Sequence, residues 1–402
     1  MTGTSLSKIF DLKGYILDRV EYPDDKEIML CCHLKRKTMR FKSQSSNAIC
    51  AQRKRKIKHQ VFEGRLVWIS VTQRRFYFCK SDNRLWEKLP NVALKKQTTE
   101  SYRRNSIIAL KNSTYSYSSQ QRLASPMFSS RLVDSLPELK FYWPKEIGKI
   151  GFDGKNIGKR KNMFTLTNLD EKKLISALPP MSQKELIEAI KTNVPLERRS
   201  AVKESCIDMD RFMLSVVGQC FPNAEVVIDQ FHVIQAAIRN LDAFRLRIQK
   251  MQGVNLNFLK HLLAKSPFEL DKHERKLLER TFEKIPKLKL CYEIIQELRK
   301  VYRQKDIKAA RECLESAKRL CRESKIPDML ELAGMLRRWN EEILNYHLSK
   351  TTNAFTEGIH NRFETIKRNH FGVRNYARFV KRLMYIFLPA AVFMNLLSKV
   401  VG

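Results

Sequence analysis

Over the first ninety residues, short apolar runs such as Ile28-Met29-Leu30 and Leu66 to Val71 alternate with basic stretches, a pattern that predicts a small β-rich module over 1–92. Residues 93–146 are polar and serine-rich, with one predicted helix at Ser101–Leu110 and another near Ser129–Leu136. Gln120–Leu136 has the length for a turn and a recognition helix bearing Ser129, Ser130 and Arg131, but its apolar spacing is poor, so a helix-turn-helix and a plain linker both stay open. From Lys149 the pattern becomes regular. Ile150–Asp153, Met163–Leu169 and Lys173–Leu178 read as three strands, and Pro179-Pro180 ends the third. Ser182 with Glu185 is a capping box; Leu186, Ala189 and Ile190 recur at helical spacing until Asn193 and Pro195 stop the helix. A fourth strand, Ala201–Ile207, runs into Asp208. A short helix with the apolar face Phe212, Met213, Val216, Val217 and Cys220 follows, and a fifth strand, Ala224–Ile228, runs into Asp229. The order is β-β-β-α-β-α-β. From Phe231 to about Leu348 only helical periodicity is present, in a block too long to be a loop. A last helical stretch carries Glu357 and the basic segment Arg362–Arg382.

Charge changes this picture. Among 402 residues, 76 Lys and Arg stand against 42 Asp and Glu, a net +34, while 43% hydrophobic content excludes disorder throughout. A surplus of this size calls for a polyanion, either nucleic acid or an anionic membrane surface. The best membrane candidate, Leu383–Val401, is interrupted by Pro389, Asn395, Ser398 and Lys399 and reads better as a buried terminal helix. Met1–Asp11 lacks the apolar stretch of a signal peptide, so a cytoplasmic, DNA-associated chain without membrane partners is expected. Nine cysteines, an odd number scattered along the chain, point to reduced thiols. From Lys35 to His59 there are ten Lys and Arg and no acid; Arg53, Lys54, Arg55 and Lys56 are candidate DNA contacts, with a solvated loop as the alternative.

The acids supply candidate chemistry. Asp153 ends the first strand and Asp208 the fourth, and in a ribonuclease H-like sheet those strands are neighbours. Their carboxylates then lie side by side and repel unless a divalent cation joins them. Glu357 is the best-placed third acid, with Asn361, Lys367, Arg368 and Arg374 following it as phosphate-binding candidates. Three carboxylates can hold two Mg²⁺, with Mn²⁺ as a substitute, for phosphodiester chemistry. Asp229 is a rival to Asp208, although it ends a strand one position further out; Asp210 reads as a helix cap. His232 reads either as an accessory residue or as a structural one. Trp339 reads equally as core or as a base-stacking platform, while Phe363 and Phe379 read as core.

The wording around these acids carries a family resemblance. Phe152-Asp153-Gly154-Lys155, Ile207-Asp208-Met209, Val227-Ile228-Asp229-Gln230-Phe231-His232-Val233, Thr356-Glu357-Gly358 and Phe371-Gly372-Val373-Arg374-Asn375 resemble the ISL-three family of bacterial insertion-sequence transposases, strongly from about 147 to 385 and loosely before that. The resemblance implies a DDE transposase whose ribonuclease H-like core is split by a helical insertion. The metal-binding catalytic triad would be Asp153, Asp208 and Glu357, with Asp229 and His232 as an accessory pair. The implied division is a basic N-terminal DNA-binding module (1–92), a possible helix-turn-helix and linker (93–146), the first part of the core (147–232), the helical insertion (233–348) and C-terminal core helices (349–402). The fold class is therefore multidomain α+β and α/β.

Family members usually carry paired Cys-x-x-Cys sequences for zinc near the N-terminus. Here Cys31, Cys32, His33, Cys50 and Cys79 lack that pairing, and no zinc is expected. The implied reaction is metal-dependent cleavage of double-stranded DNA at element ends and then strand transfer into target DNA, by a homodimer or larger assembly. A catalytically inactive, transposase-derived DNA-binding protein is the alternative from another class, and a nuclease that cuts without joining is a third.

Overall fold

A computed structural model describes residues 8–62, 64–92, 97–112, 133–134, 136–144, 146–158, 161–369 and 375–401. Internal contacts divide the chain into one unit of 1–139 with 363–402 and a second of 140–362.

In the first unit the chain runs through β1 (Tyr15–Asp24), β2 (Glu27–Leu34), β3 (Met39–Phe41), β4 (Gln44–Ser46), β5 (Ile49–Phe62), β6 (Arg65–Phe78) and β7 (Asn83–Trp86). One sheet has the order β1-β2-β6-β5 with β7 also on β6, and β3 pairs with β4. Period-two burial explains the strands: in β2, Ile28, Leu30, Cys32 and Leu34 turn inward and join Ile57, Val67, Ile69 and Val71 in one core. The basic run is not a loop. It spans β3, β4 and the edge strand β5, where Arg53, Lys54 and Lys56 are exposed, a charged edge of the kind that discourages strand addition. Helix α1 (Glu100–Asn112) follows. Of the second helix expected near Ser129–Leu136, only 133, 134 and 136 lie within the described residues.

The second unit opens with β8 (Lys149–Asn156), β9 (Asn162–Asn168) and β10 (Lys173–Leu178), then α2 (Gln183–Asn193), α3 (Leu196–Ser200), β11 (Glu204–Ile207), α4 (Arg211–Cys220) and β12 (Glu225–Ile228). The sheet order is β10-β9-β8-β11-β12; β8, β9 and β10 are antiparallel neighbours, while β8, β11 and β12 run parallel. The capping box at α2 forms as its sequence demands. The fourth strand starts three residues later than its apolar run suggests. Arg199, buried, donates from Nε to the Val194 carbonyl and from Nη1 to the Cys220 carbonyl, and these bonds hold 196–200 in a helical turn.

From α5 (Gln230–Gln252) the unit continues as α6 (Leu259–Ala264), α7 (Lys272–Lys284), α8 (Pro286–Arg303), α9 (Ile307–Glu323), α10 (Pro327–Arg338), α11 (Asn340–Leu344) and α12 (Tyr346–Ser349). Their apolar faces and those of the sheet make one continuous core, which includes Phe152, Ile207, Phe244, Leu298, Leu314 and Leu336. Helix α13 (Ala354–Asn369) follows, and the division between units falls within it.

In the first unit again, α14 (Tyr376–Phe387) and α15 (Ala390–Val401) pack against α1. Arg378 bonds both oxygens of Asp134 at 2.8 and 2.7 Å, and the Tyr385 hydroxyl donates to the Pro137 carbonyl. The sequence places 349–402 with the core; by contacts, 363–402 groups with 1–139, where α14 and α15 pack against α1. Phe363 and Phe379 are buried. No helix among the described residues is long and apolar enough to cross a membrane.

Candidate active site

Three elements of the second unit deliver the acids. Asp153 lies on the central strand β8, opposite Thr165 of β9, and is almost fully buried. Its Oδ1 accepts from the Gly154 N–H at 2.6 Å, and its Oδ2 lies 3.1 Å from His360 Nδ1. His360 Nε2 is in turn 3.0 Å from Thr165 Oγ1. Asp208 follows the last residue of β11, and Glu357 sits in the first turn of α13.

Asp208 and Glu357 converge on one atom. His232 Nε2, on the first turn of α5, lies 3.0 Å from Asp208 Oδ1 and 3.1 Å from Glu357 Oε1. Neither approach meets hydrogen-bond angles, so Asp208 Oδ1 and His232 Nε2 are buried without a hydrogen-bond partner. The attraction persists off-angle. Contact with the Asp208 carboxylate pushes the His232 pKa up to about 9 against the opposing effect of burial, helped by the fields of Asp208, Asp229 and Glu357.

Asp229 is otherwise engaged. Its Oδ1 caps α5 by accepting from the Phe231 N–H at 2.8 Å, and its Oδ2 accepts from the Asn353 N–H at 2.6 Å. It thus ties the end of β12 to the turn that starts α13. The Thr351 hydroxyl, 2.6 Å from Glu204 Oε2, ties the same turn to β11. Helix α13 then presses on β8 where Gly151 has no side chain: a Cβ there would come closer than 3.0 Å to Thr356 Oγ1, Asn353 Oδ1 and Thr167 Oγ1. Thr356 and Thr167 share a 2.7 Å hydrogen bond at that contact.

The cleft beside these groups has a volume of about 780 Å³ and is lined by Asp153, Asp208 and His232 together with Arg211, Arg239 and Arg338. Asp210 also lines it, while its Oδ1 caps α4 through the Phe212 N–H. Trp339 lines the cleft and is buried at the end of α10. The sequence reading missed His360 and the cleft arginines. His360 had a signal, since it lies three residues after Glu357 on one helix face; for the arginines only tertiary packing brings them to the acids.

The carboxylates offer hard oxygen donors of the type that suits Mg²⁺ or Mn²⁺, and the orphaned Asp208 oxygen has no protein donor to give up. No group of three or more His, Cys, Asp or Glu among the described residues is already arranged as a metal cage. This holds for the cysteines too: Cys31 and Cys32 lie on β2, Cys50 on β5 and Cys79 after β6.

The remaining predicted contacts lie in the first unit or on α13. Arg53 donates to Gln73 at 2.9 Å and stacks over Trp86; Arg55 also donates to Gln73; Lys56 pairs with Glu27 and covers Trp68; Lys54 is exposed. On α13, Asn361 and Arg368 are exposed, whereas Lys367 is paired with Glu364 at 2.7 Å. Arg374 lies outside the described residues.

No curated protein sequence matches the chain significantly. The model of a family described as transposase, the ISL-three group of DDE type, matches residues 150–383, more than half of the chain.

Proposed function

Because this chain belongs to the ISL-three family of DDE transposases, we propose that it binds the ends of an insertion element and performs divalent-metal-dependent strand cleavage followed by strand transfer. The observation that carries this reading is the convergence of Asp208 and Glu357 on His232, which with Asp208 and Asp153 lines one cleft. The sheet order β10-β9-β8-β11-β12, antiparallel then parallel, supports a ribonuclease H-like core with α5 to α12 as its insertion.

In this reading Asp153, Asp208 and Glu357 are the residues that would hold the metal pair. Two Mg²⁺ there, or Mn²⁺, would supply Lewis acidity to the attacked phosphodiester and to its attacking and leaving oxygens. The chain's own residues do the rest. Asp229 uses both oxygens on backbone N–H groups and is a positioning residue, which favours Asp208 as the second ligand. His232 holds a proton at Nε2 between two carboxylates and offsets their repulsion before the metal enters. His360 orients Asp153. Water is the first nucleophile, and the freed 3′-hydroxyl attacks target DNA in the second step. The basic edge strand β5 grips the element ends through Arg53, Lys54, Arg55 and Lys56, with Asn361, Lys367, Arg368 and Arg374 as further backbone contacts. Concerted cutting of two ends calls for a dimer or larger assembly on DNA.

The test is Mg²⁺-dependent cleavage and joining of DNA carrying the native ends. Asp153→Ala, Asp208→Ala and Glu357→Ala are expected to abolish both steps while end binding persists, and Asp229→Ala to leave residual activity. Wild-type protein that binds the ends and never cuts with any divalent metal would sink the enzyme reading in favour of a transposase-derived DNA-binding protein.

A further inference from the structure

The far wall of the cleft is built by the helical insertion. On α5 the lining positions 232, 236, 239, 240 and 243 share one helix face, and on α10 the lining positions 331, 335 and 338 do the same. Two of the α5 positions are alanines, Ala236 and Ala243, which leave a low surface beside the Arg239 side chain. Arg239, Arg338 and Arg211 are exposed, and none has an ion pair or hydrogen bond among the described residues. Glu331 lines the same cleft without pairing to any of them. Other surface arginines are paired, as Arg378 is with Asp134 and Arg311 with Glu341; what sets these three apart is that they line the cleft that Asp153 and Asp208 also line. Unpaired guanidinium groups beside catalytic acids have the chemistry of phosphate forks.

We propose that Arg239 of α5 and Arg338 of α10 hold the sugar–phosphate backbone of the DNA strand as it leaves the catalytic acids, so that the insertion is the second wall of the substrate site. The inference rests on the transposase reading for the identity of the strand. The spacing suits the task. Arg239 lies seven residues beyond His232, about 10 Å along the helix, which is roughly three nucleotide steps at about 3.4 Å per strand. Phosphates two to four steps from the cut therefore meet Arg239, with Arg338 lining the same cleft from α10, while Glu331 repels a strand that strays toward it.

The experiment uses the full chain, a chelator, and duplex DNA carrying the native element end, and measures Kd against KCl concentration. The double variant Arg239→Ala with Arg338→Ala is expected to lower the log–log salt slope by about two, at about 0.9 per phosphate contact. The pair Arg239→Lys with Arg338→Lys keeps the slope, and so does Arg280→Ala, an exposed arginine on α7 away from the cleft. A second measurement places neutral methylphosphonates two to four steps from the cut. These should weaken wild-type binding and leave the double alanine variant indifferent. An unchanged slope in the double variant, an equal loss in Arg280→Ala, or an equal methylphosphonate cost in wild type and variant would each overturn the proposal. Because binding is read without metal, wild type that never cuts would remove the transposase reading and still leave the two arginines tested.

Discussion

His232 shows how much a single residue gains from its neighbours. An ordinary imidazole loses its proton near 6.5, but contact with Asp208, aided by Asp229 and Glu357, raises this one to about 9. The sign follows from linkage. A folded-state pKa above the unfolded value means stability that is full below about 6.5 and lost as pH rises through about 9. In chelated protein, the urea midpoint of wild type should fall more between those pH values than that of His232→Gln. Parallel curves for the two proteins would show that the ion pairs contribute nothing to folding. The chain marked His232 as a histidine opening a helix after Asp229, and the family resemblance as its accessory partner. Its contact with Glu357 joins residues 125 positions apart, and no local pattern encodes that.

At the scale of elements, the contact between α13 and β8 decides where Glu357 stands. Gly151 is the gap through which Thr356 approaches, and the helix start is held further by Asp229 on Asn353 and by Thr351 on Glu204. Gly151→Ala inserts a methyl into that contact, an overpacking change of about 1–3 kcal/mol. Cleavage is expected to fall well beyond what the lowered melting temperature explains, because the helix yields by moving Glu357 off the acids. An alanine variant that melts and cuts as wild type would mean the contact is slack. Other elements were legible from local chemistry alone. The capping box at Ser182, the run from Lys173 to Leu178 and the apolar face of α4 are complete within a dozen residues, and each forms as read. The fourth strand was overextended because Arg199 bonds the Val194 carbonyl five residues back and the Cys220 carbonyl 21 residues on, and the second of these is beyond any local pattern.

At the scale of the whole molecule, the insertion and the sheet share one apolar core within one contact unit, so the two parts of the chain that wall the site are expected to unfold together. Leu314→Ala, deep in α9, should cost about 2–5 kcal/mol. It should also lower hydrogen-exchange protection at Ile207 of β11 in step, since both side chains belong to that core. Full protection at Ile207 while α9 exchanges freely would separate the insertion from the sheet. By itself the sequence determined the charge surplus, the strands and the longer helices from 149 to 348, and the acids that follow β11 and β12, because composition and short-range periodicity carry them; it ended the first strand at Asp153, which lies inside β8 because pairing with β9 continues to Asn156. The tertiary structure decided that α14 and α15 pack against α1, that Asp229 is occupied by backbone N–H groups, and that Arg239 and Arg338 line one cleft with Asp153 and Asp208. Those outcomes depend on which distant surfaces bury each other, a free energy summed over the whole fold and absent from any one segment.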